Sequence, residues 1–269
     1  MSLKSITSRD NPVYQEILAL AGDRKARRQA GKAVLDGPHL LEAALQANAG
    51  PIRLVFSESA MSGVLGEWAQ RLPEVPGLVV TDRLFASLSP VDTPAGLLSV
   101  IDIPLPASKA AECVMLLENI QDPGNLGALL RVAAASGVGS VHLSIGCAEA
   151  WSPKCLRGGQ GAHFLLEIHE GIDLPVFARE FRGPIHAASL GAPVSLFALD
   201  LHGPVGFAFG NEGAGLSEAL RAVAQPFSIP MPGRVESLNV ATAAAVCLFE
   251  RVRQTAVKEP GAARQAGSA

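Results

Sequence analysis

The sequence predicts an α/β protein of two units, a small N-terminal α/β domain and a larger C-terminal α/β domain with a mostly parallel sheet. Three observations predict it. Short apolar runs alternate with helix-length segments along the chain. Cys113-Val114-Met115-Leu116-Leu117 is uninterrupted and apolar, as expected of a strand buried on both faces. Ile103–Ser108 holds two prolines and no period, which suits a linker. At roughly 150 residues per domain, 269 residues allow one large or two medium domains. We place them at 1–102 and 110–258, with a linker at 103–109 and a fraying tail at 259–269.

In the first unit Pro12–Ala21 reads as a helix with Asn11 as N-cap and Pro12 at its first position. A basic run, Arg24–Arg28, follows it. Pro38–Ala47 reads as a second helix, and Leu54–Phe56, Leu78–Val80 and Leu97–Ile101 as strands. In the second unit the strands are Cys113–Leu117, Ser140–Ile145, His163–Ile168, Ile185–Ala188, Gly206–Phe209 and Phe227–Ile229. Helices are read at Leu126–Ser136, Leu174–Phe181, Leu216–Ala224 and Val240–Val257. Ligands of such sheets sit at the carboxyl ends of the strands. Attention therefore falls on the loops 118–127, 189–193, 210–216 and 230–239.

Composition excludes several classes. Apolar residues make up 48% and charged residues 17%, too apolar a mixture for a disordered chain. Mean hydropathy is +0.27, yet stretches such as Val132–Ala148 are broken by Gly and Ser and read as no membrane span. The net charge of −3 offers no global field for nucleic acid. A local one exists: residues 1–32 carry seven basic side chains against three acidic ones. The separated cysteines Cys113, Cys147, Cys155 and Cys247 read as buried thiols of a reducing compartment. Met1–Asp10 has no apolar signal core, so a soluble cytoplasmic protein is expected. The scattered histidines show no metal-ligand spacing, and no metal is expected. Cys155 and His163 can approach each other, but the expected arrangement is a buried thiol and a surface imidazole. Tyr14, beside the basic run, reads as a plain helix-surface residue or as a base-stacking one.

Three loops carry the chemistry. Glu118-Asn119-Ile120-Gln121-Asp122-Pro123-Gly124-Asn125-Leu126-Gly127 is a strong turn signal leading into a helix whose N–H groups can meet an anion. Arg131 lies one turn beyond Gly127, where it either clamps a phosphate or is simply solvated. Gly210-Asn211-Glu212-Gly213-Ala214-Gly215 follows an apolar strand in the order GxxGxG, which fails the dinucleotide fingerprint. Ile229-Pro230-Met231-Pro232-Gly233-Arg234-Val235-Glu236-Ser237-Leu238-Asn239 is a rigid loop ending in a candidate cap for the last helix, Ser237 or Asn239.

In order and spacing the three loops resemble the signature motifs of the SpoU/TrmH family of RNA ribose 2′-O-methyltransferases, of the SPOUT superfamily. The match runs from Asn119 through Arg131, from Phe209 through Ser217 and from Ile229 through Val240. More loosely, Thr7–Pro12, Asp36–Ala43 and Leu88–Pro94 resemble the L30e-like substrate-binding domain often fused to that family. Gly158-Gly159-Gln160-Gly161-Ala162 departs from the Ser-Ala-Gly run of many relatives.

The resemblance implies a catalytic α/β domain with a C-terminal trefoil knot, S-adenosylmethionine as cofactor, and a homodimer with the active site near its interface. It implies backbone cofactor contacts at Gly210, Ile229 and Leu238, with Ser189, Leu190 and Met231 lining the same pocket. Arg131 is then the key catalytic residue, as base or as phosphate clamp; an arginine is cationic at ordinary pH, which favours the clamp. Asn125 and Asn239 would position the ribose or Arg131, Glu212 would orient Arg131 or take the proton, and Ser237 would bond near the substrate. RNA would meet Arg9, Arg24, Lys25, Arg27 and Arg28. Ribosomal RNA is favoured over transfer RNA, because the L30e-like fusion resembles the ribosomal branch. The alternatives are a transfer-RNA methyltransferase and a non-catalytic RNA-binding protein on the same fold.

Overall fold

The computed structural model describes residues 3–89, 94–107, 111–211 and 213–256. The first unit runs β1 (Leu3–Ile6), α1 (Pro12–Gly22), α2 (Arg24–Ala30), β2 (Lys32–Asp36), α3 (Pro38–Gln46), β3 (Arg53–Ser57), α4 (Glu58–Met61), α5 (Glu67–Arg71), β4 (Gly77–Val80), α6 (Asp82–Leu88) and β5 (Leu97–Asp102). Its sheet has the order β1-β4-β3-β5-β2; β1, β4 and β3 are parallel and β5 runs antiparallel to both its neighbours. The second unit runs β6 (Cys113–Leu117), α7 (Pro123–Ala135), β7 (Ser140–Leu143), α8 (Pro153–Gly159), β8 (Glu167–Glu170), α9 (Leu174–Glu180), β9 (Ile185–Ala188), β10 (Val205–Phe209), α10 (Glu218–Arg221), β11 (Gln225–Phe227) and α11 (Val240–Thr255). Its sheet, β11-β9-β10-β6-β7-β8, is parallel throughout.

Local chemistry accounts for the element ends. Asn11 caps α1 by accepting from the backbone N–H groups of Val13 and Tyr14, with Pro12 at the first helical position. Asp122 caps α7 in the same way through the N–H of Asn125, at 2.8 Å, and Pro123 opens that helix. Every residue of β6 is buried, as its unbroken apolar run requires.

Some elements differ from expectation. The basic run forms α2, capped by Asp23 and closed by Gly31 at φ +63°; its lack of apolar periodicity hides it from a pattern search. The strand expected at His163–Ile168 is a 3-10 turn over Ala162–Leu165 followed by β8. Gln160 and Gly161 both take positive φ there, and the reversal buries His163 instead of extending it. The helix expected at Leu216–Ala224 shortens to α10, because Leu216 is buried in an apolar cluster and Ser217 caps the turn after it. Tyr14 is neither a surface nor a stacking residue: it is buried, and its hydroxyl donates to the carbonyl of Leu84 at 3.1 Å. Residues 90–93 of the looser N-terminal match, residues 108 and 109 of the linker, residue 110 and the tail fall outside the described residues.

The two units share a core. Ala33, Leu35 and Ala44 of the first pack into the cluster that contains Leu126, Leu130 and Leu156 of the second. Beside it α7 and α8 touch backbone to backbone. A Cβ on Gly127 would lie 2.5 Å from the carbonyl oxygen of Cys155 and 2.8 Å from the Cα of Gly158. Gly127, with no side chain, permits this close approach of a second helix.

Candidate active site

In the parallel sheet, chain order reverses between β6 and β10. The loops that leave their carboxyl ends therefore splay apart and open a crevice, the usual ligand position of such folds. A cavity of about 220 Å³ lies there, lined by Ile120, Gln121, Asp122, Asn125, Asn211 and Val240.

Polar contacts fix the walls of this crevice. The side-chain amide of Asn239 donates to the Asn125 side-chain oxygen at 3.0 Å, which joins the first and third loops. Asn239, and not Ser237, caps α11, accepting from the N–H groups of Ala241 and Thr242. The amide of Asn211 donates to the carbonyl of Asn119 at 3.1 Å and joins the second loop to the first. Asn119 itself holds a left-handed conformation, φ +57°. Gly210 has no room for a side chain, since a Cβ would sit 2.3 Å from the backbone of Gly215. The Asp122 carboxylate is held below its usual range, chiefly by the Asn125 N–H.

A residue that sequence reasoning missed anchors the second loop. Glu118 is buried at the end of β6 and accepts from the backbone N–H of Ser217 at 2.6 Å and from its hydroxyl at 2.7 Å. A carboxylate straight after an all-apolar strand is the signal that could have found it, because a buried carboxylate requires donors.

The loops after β9 and β11 also interlock. The Ser189 N–H donates to the carbonyl of Phe227, the Leu196 N–H to that of Ser228, and the Ser228 N–H to that of Val194. Ser189, Leu190, Gly210, Ile229, Met231 and Leu238 all lie on loops at the carboxyl end of the sheet. Leu190 is 68% exposed, and Ile229 and Leu238 are half-buried. Backbone donors and acceptors among apolar side chains suit a purine-bearing ligand better than they suit a metal. Among the described residues no group of His, Cys, Asp and Glu could hold a metal ion, and no helix is long and apolar enough to cross a membrane.

Not all expected residues meet. Asn125 and Asn239 do. Ser237 is exposed on the third loop, and Glu212 lies outside the described residues. Arg131 is exposed on α7, six residues beyond Asn125, so it stands about 9 Å along the helix and about 120° around it. It lines a separate cleft with His39 and Gly159. That is about two turns past the α7 N-terminus, too far to share an anion with the free N–H groups there.

Among the basic residues, Arg9, Arg24, Lys25 and Arg28 are exposed. Arg27 is not: it is buried against Glu149, which removes it from any RNA-facing surface. His163, expected at the surface, is buried too. Its Nε2 lies 2.8 Å from the carbonyl of Ala150 and 3.7 Å from Cys155 Sγ. Burial pushes its pKa down to about 4 and pushes the Cys155 thiol up, so the pair is neutral and structural.

Comparison with known proteins decides the family. The SpoU rRNA Methylase family matches residues 112–249, and the MRM3-like substrate binding domain matches residues 11–99. The chain belongs to the SpoU rRNA methylase family. An uncharacterized tRNA/rRNA methyltransferase of Synechocystis sp. is 32% identical, over 96% of this chain and 97% of its own. The Bacillus subtilis 23S rRNA (guanosine(2553)-2′-O)-methyltransferase is 30% identical, over 84% of this chain and 90% of its own. Among solved structures, an AdoMet-bound rRNA methyltransferase from Sinorhizobium meliloti superposes with a TM-score of 0.80 at 26% identity, over 95% of this chain and 99% of that one. The SpoU match spans the parallel sheet, its crevice and both asparagines.

Proposed function

We propose that this SpoU-family protein methylates a ribose 2′-hydroxyl of ribosomal RNA with S-adenosylmethionine as donor. The observation that carries the reading is the crevice between β6 and β10, where Asn125 and Asn239 bond to each other at the meeting of the family's first and third loops. When bound, the cofactor supplies an electrophilic methyl group. The chain's own residues must hold the ribose hydroxyl in line and stabilise the oxygen as its proton leaves. Backbone groups at Gly210, Ile229 and Leu238 hold the cofactor, with Ser189, Leu190 and Met231 around it. Asn125 and Asn239 orient the ribose, Ser237 bonds beside it, and Glu212 takes the proton or orients Arg131. Arg131 clamps a phosphate and stabilises developing negative charge, since a guanidinium keeps its protons.

The same reading makes the active unit a cytoplasmic homodimer. The separation of Arg131 from Asn125 on α7 supports this reading, in which a second copy carries the arginine to a crevice. The knot belongs to this reading as well, supported by the interlocked backbones of segments 189–196 and 227–228. Exposed Arg9, Arg24, Lys25 and Arg28 are the first unit's RNA contacts.

The test is transfer of labelled methyl from S-adenosylmethionine to ribosomal and transfer RNA from a strain lacking this protein, for wild type and Arg131→Ala. Label on ribosomal RNA at one alkali-resistant linkage, lost in the variant, is the expected result. Label on transfer RNA alone transfers the reading to that substrate. RNA binding with no transfer to either makes the protein a binding module.

A further inference from the structure

We propose that Ser144 and Cys147, on the turn after β7, are positioning residues for the cofactor pocket: acting through Asn119 and Asn211, they set where the loop after β10 stands. The inference rests on the cofactor reading above and adds to it two residues that lie outside the three motif loops.

The loop after β10 is folded around one side chain. The Asn211 side-chain oxygen accepts from the N–H groups of Gly213 at 2.9 Å and Ala214 at 3.1 Å. The Asn211 backbone carbonyl accepts from the N–H of Gly215 at 2.8 Å. The amide nitrogen of the same side chain donates to the carbonyl of Asn119. The turn therefore moves with Asn211, and Asn211 is aimed by one backbone carbonyl. The direction of that carbonyl follows from the left-handed conformation of Asn119, which asparagine adopts more readily than most residues but still at a cost.

The turn after β7 holds the two peptide planes that flank Asn119. Ser144 Oγ accepts from the Asn119 N–H at 3.0 Å and fixes the plane before it. Cys147 Sγ accepts from the Ile120 N–H at 3.4 Å and fixes the plane after it. In a trans peptide the N–H and the C=O point in opposite directions, so the bond to Cys147 aims the Asn119 carbonyl toward Asn211. Burial pushes the Cys147 thiol up, and the sulfur keeps the proton that it donates to the Leu117 carbonyl at 3.2 Å. Between the two, Gly146 leaves the room required, since a Cβ there would collide with the Asn119 side-chain oxygen. Asn119 is exposed, so water can satisfy its N–H; what the Ser144 hydroxyl supplies is direction. Glu118 holds the far end of the same loop at Ser217. The loop is thus hung from two points, and Ser144 with Cys147 determines the one nearer Gly210.

Titration calorimetry tests this on Ser144→Ala and Cys147→Ala beside their conservative counterparts, Ser144→Thr and Cys147→Ser. Each alanine variant should weaken binding of S-adenosylmethionine by about 3- to 10-fold, the scale of one hydrogen bond. The conservative variants should stay within about twofold of wild type. Ser144→Ala added to Asn211→Ala should weaken binding no further than Asn211→Ala alone, because the route is already cut. In the cofactor-free protein, amide hydrogen exchange at Gly213, Ala214 and Gly215 should quicken in the alanine variants and return in the conservative ones. A weakening under about twofold in both alanine variants overturns the proposal. So does an additive loss in the Asn211 double variant. A lower melting temperature with affinity and exchange unmoved overturns it too, and leaves the turn after β7 as packing alone. If wild type binds no S-adenosylmethionine, the proposed function falls and exchange alone decides: faster exchange supports the positioning role and unchanged exchange overturns it.

Discussion

The guanidinium of Arg27 and the carboxylate of Glu149 meet across the junction of the two units, 122 residues apart in sequence and both buried. Arg27 Nε donates to one carboxylate oxygen at 2.9 Å and Nη2 to the other at 2.5 Å. Nη1 donates to the carbonyls of Leu20 and Ala21. Four of the five guanidinium N–H donors are thereby used, two of them on the carboxylate.

Arg27→Ala should therefore destabilise the protein strongly, by about 3–5 kcal/mol, because it strands a buried carboxylate. Urea denaturation measures it. The paired change Arg27→Met with Glu149→Leu should recover most of the loss, since an apolar pair of similar volume needs no partner. Equal loss in the single and paired variants would show that packing, not charge, holds the junction.

Glu118 offers a second prediction. Its two hydrogen bonds hold Ser217 and with it the loop that follows β10. Glu118→Ala should weaken binding of S-adenosylmethionine by about 5- to 50-fold, the scale of one or two lost charge-assisted bonds. The KM for RNA should stay put. Glu118→Gln should fall between, since its amide keeps one acceptor. Titration calorimetry reads the cofactor affinity. An unchanged affinity would leave Glu118 a purely structural anchor.

The third concerns acid. His142 is sandwiched between His169, with ring centroids 4.7 Å apart, and Phe177 at 3.8 Å. Burial, and secondly the neighbouring His169, push its pKa down to about 3. His163 is pushed down to about 4 by burial. Both imidazoles gain protons on unfolding well before they do in the fold. Stability should therefore be full above about pH 6.5 and fall as pH drops toward 4, by about 2 kcal/mol per group between pH 7 and 5. The melting temperature should decline over that range, and His142→Phe should flatten part of the decline. An identical pH profile in the variant would locate the acid lability elsewhere.

Much of this architecture is legible in residue types whose effect is local. Asp122-Pro123 starts α7 and Asn239 starts α11 by capping rules that need no tertiary information. The parallel sheet follows from apolar runs such as β6. What cannot be read locally is pairing across the fold. Arg27 sits in a helix with four basic residues and no apolar stripe, which looks solvated until Glu149 is found opposite. His163 looks like a surface residue until the left-handed bend at Gln160-Gly161 turns it inward. Arg131 and Asn125 share a motif in sequence, yet their positions on α7 set them on different faces, and only the helical phase with the packing of α8 reveals it.

The backbone contact between Gly127 and Gly158 has a consequence for how this protein can change. Most helix pairs drift over evolutionary time, since a larger side chain on one can be matched by a smaller one on the other. Here both partners are already the smallest residue available, and a Cβ on Gly158 would itself lie 3.2 Å from the Gly127 Cα. A side chain added at either position has to push α7 and α8 apart, and with them it changes the width of the cleft beside Arg131.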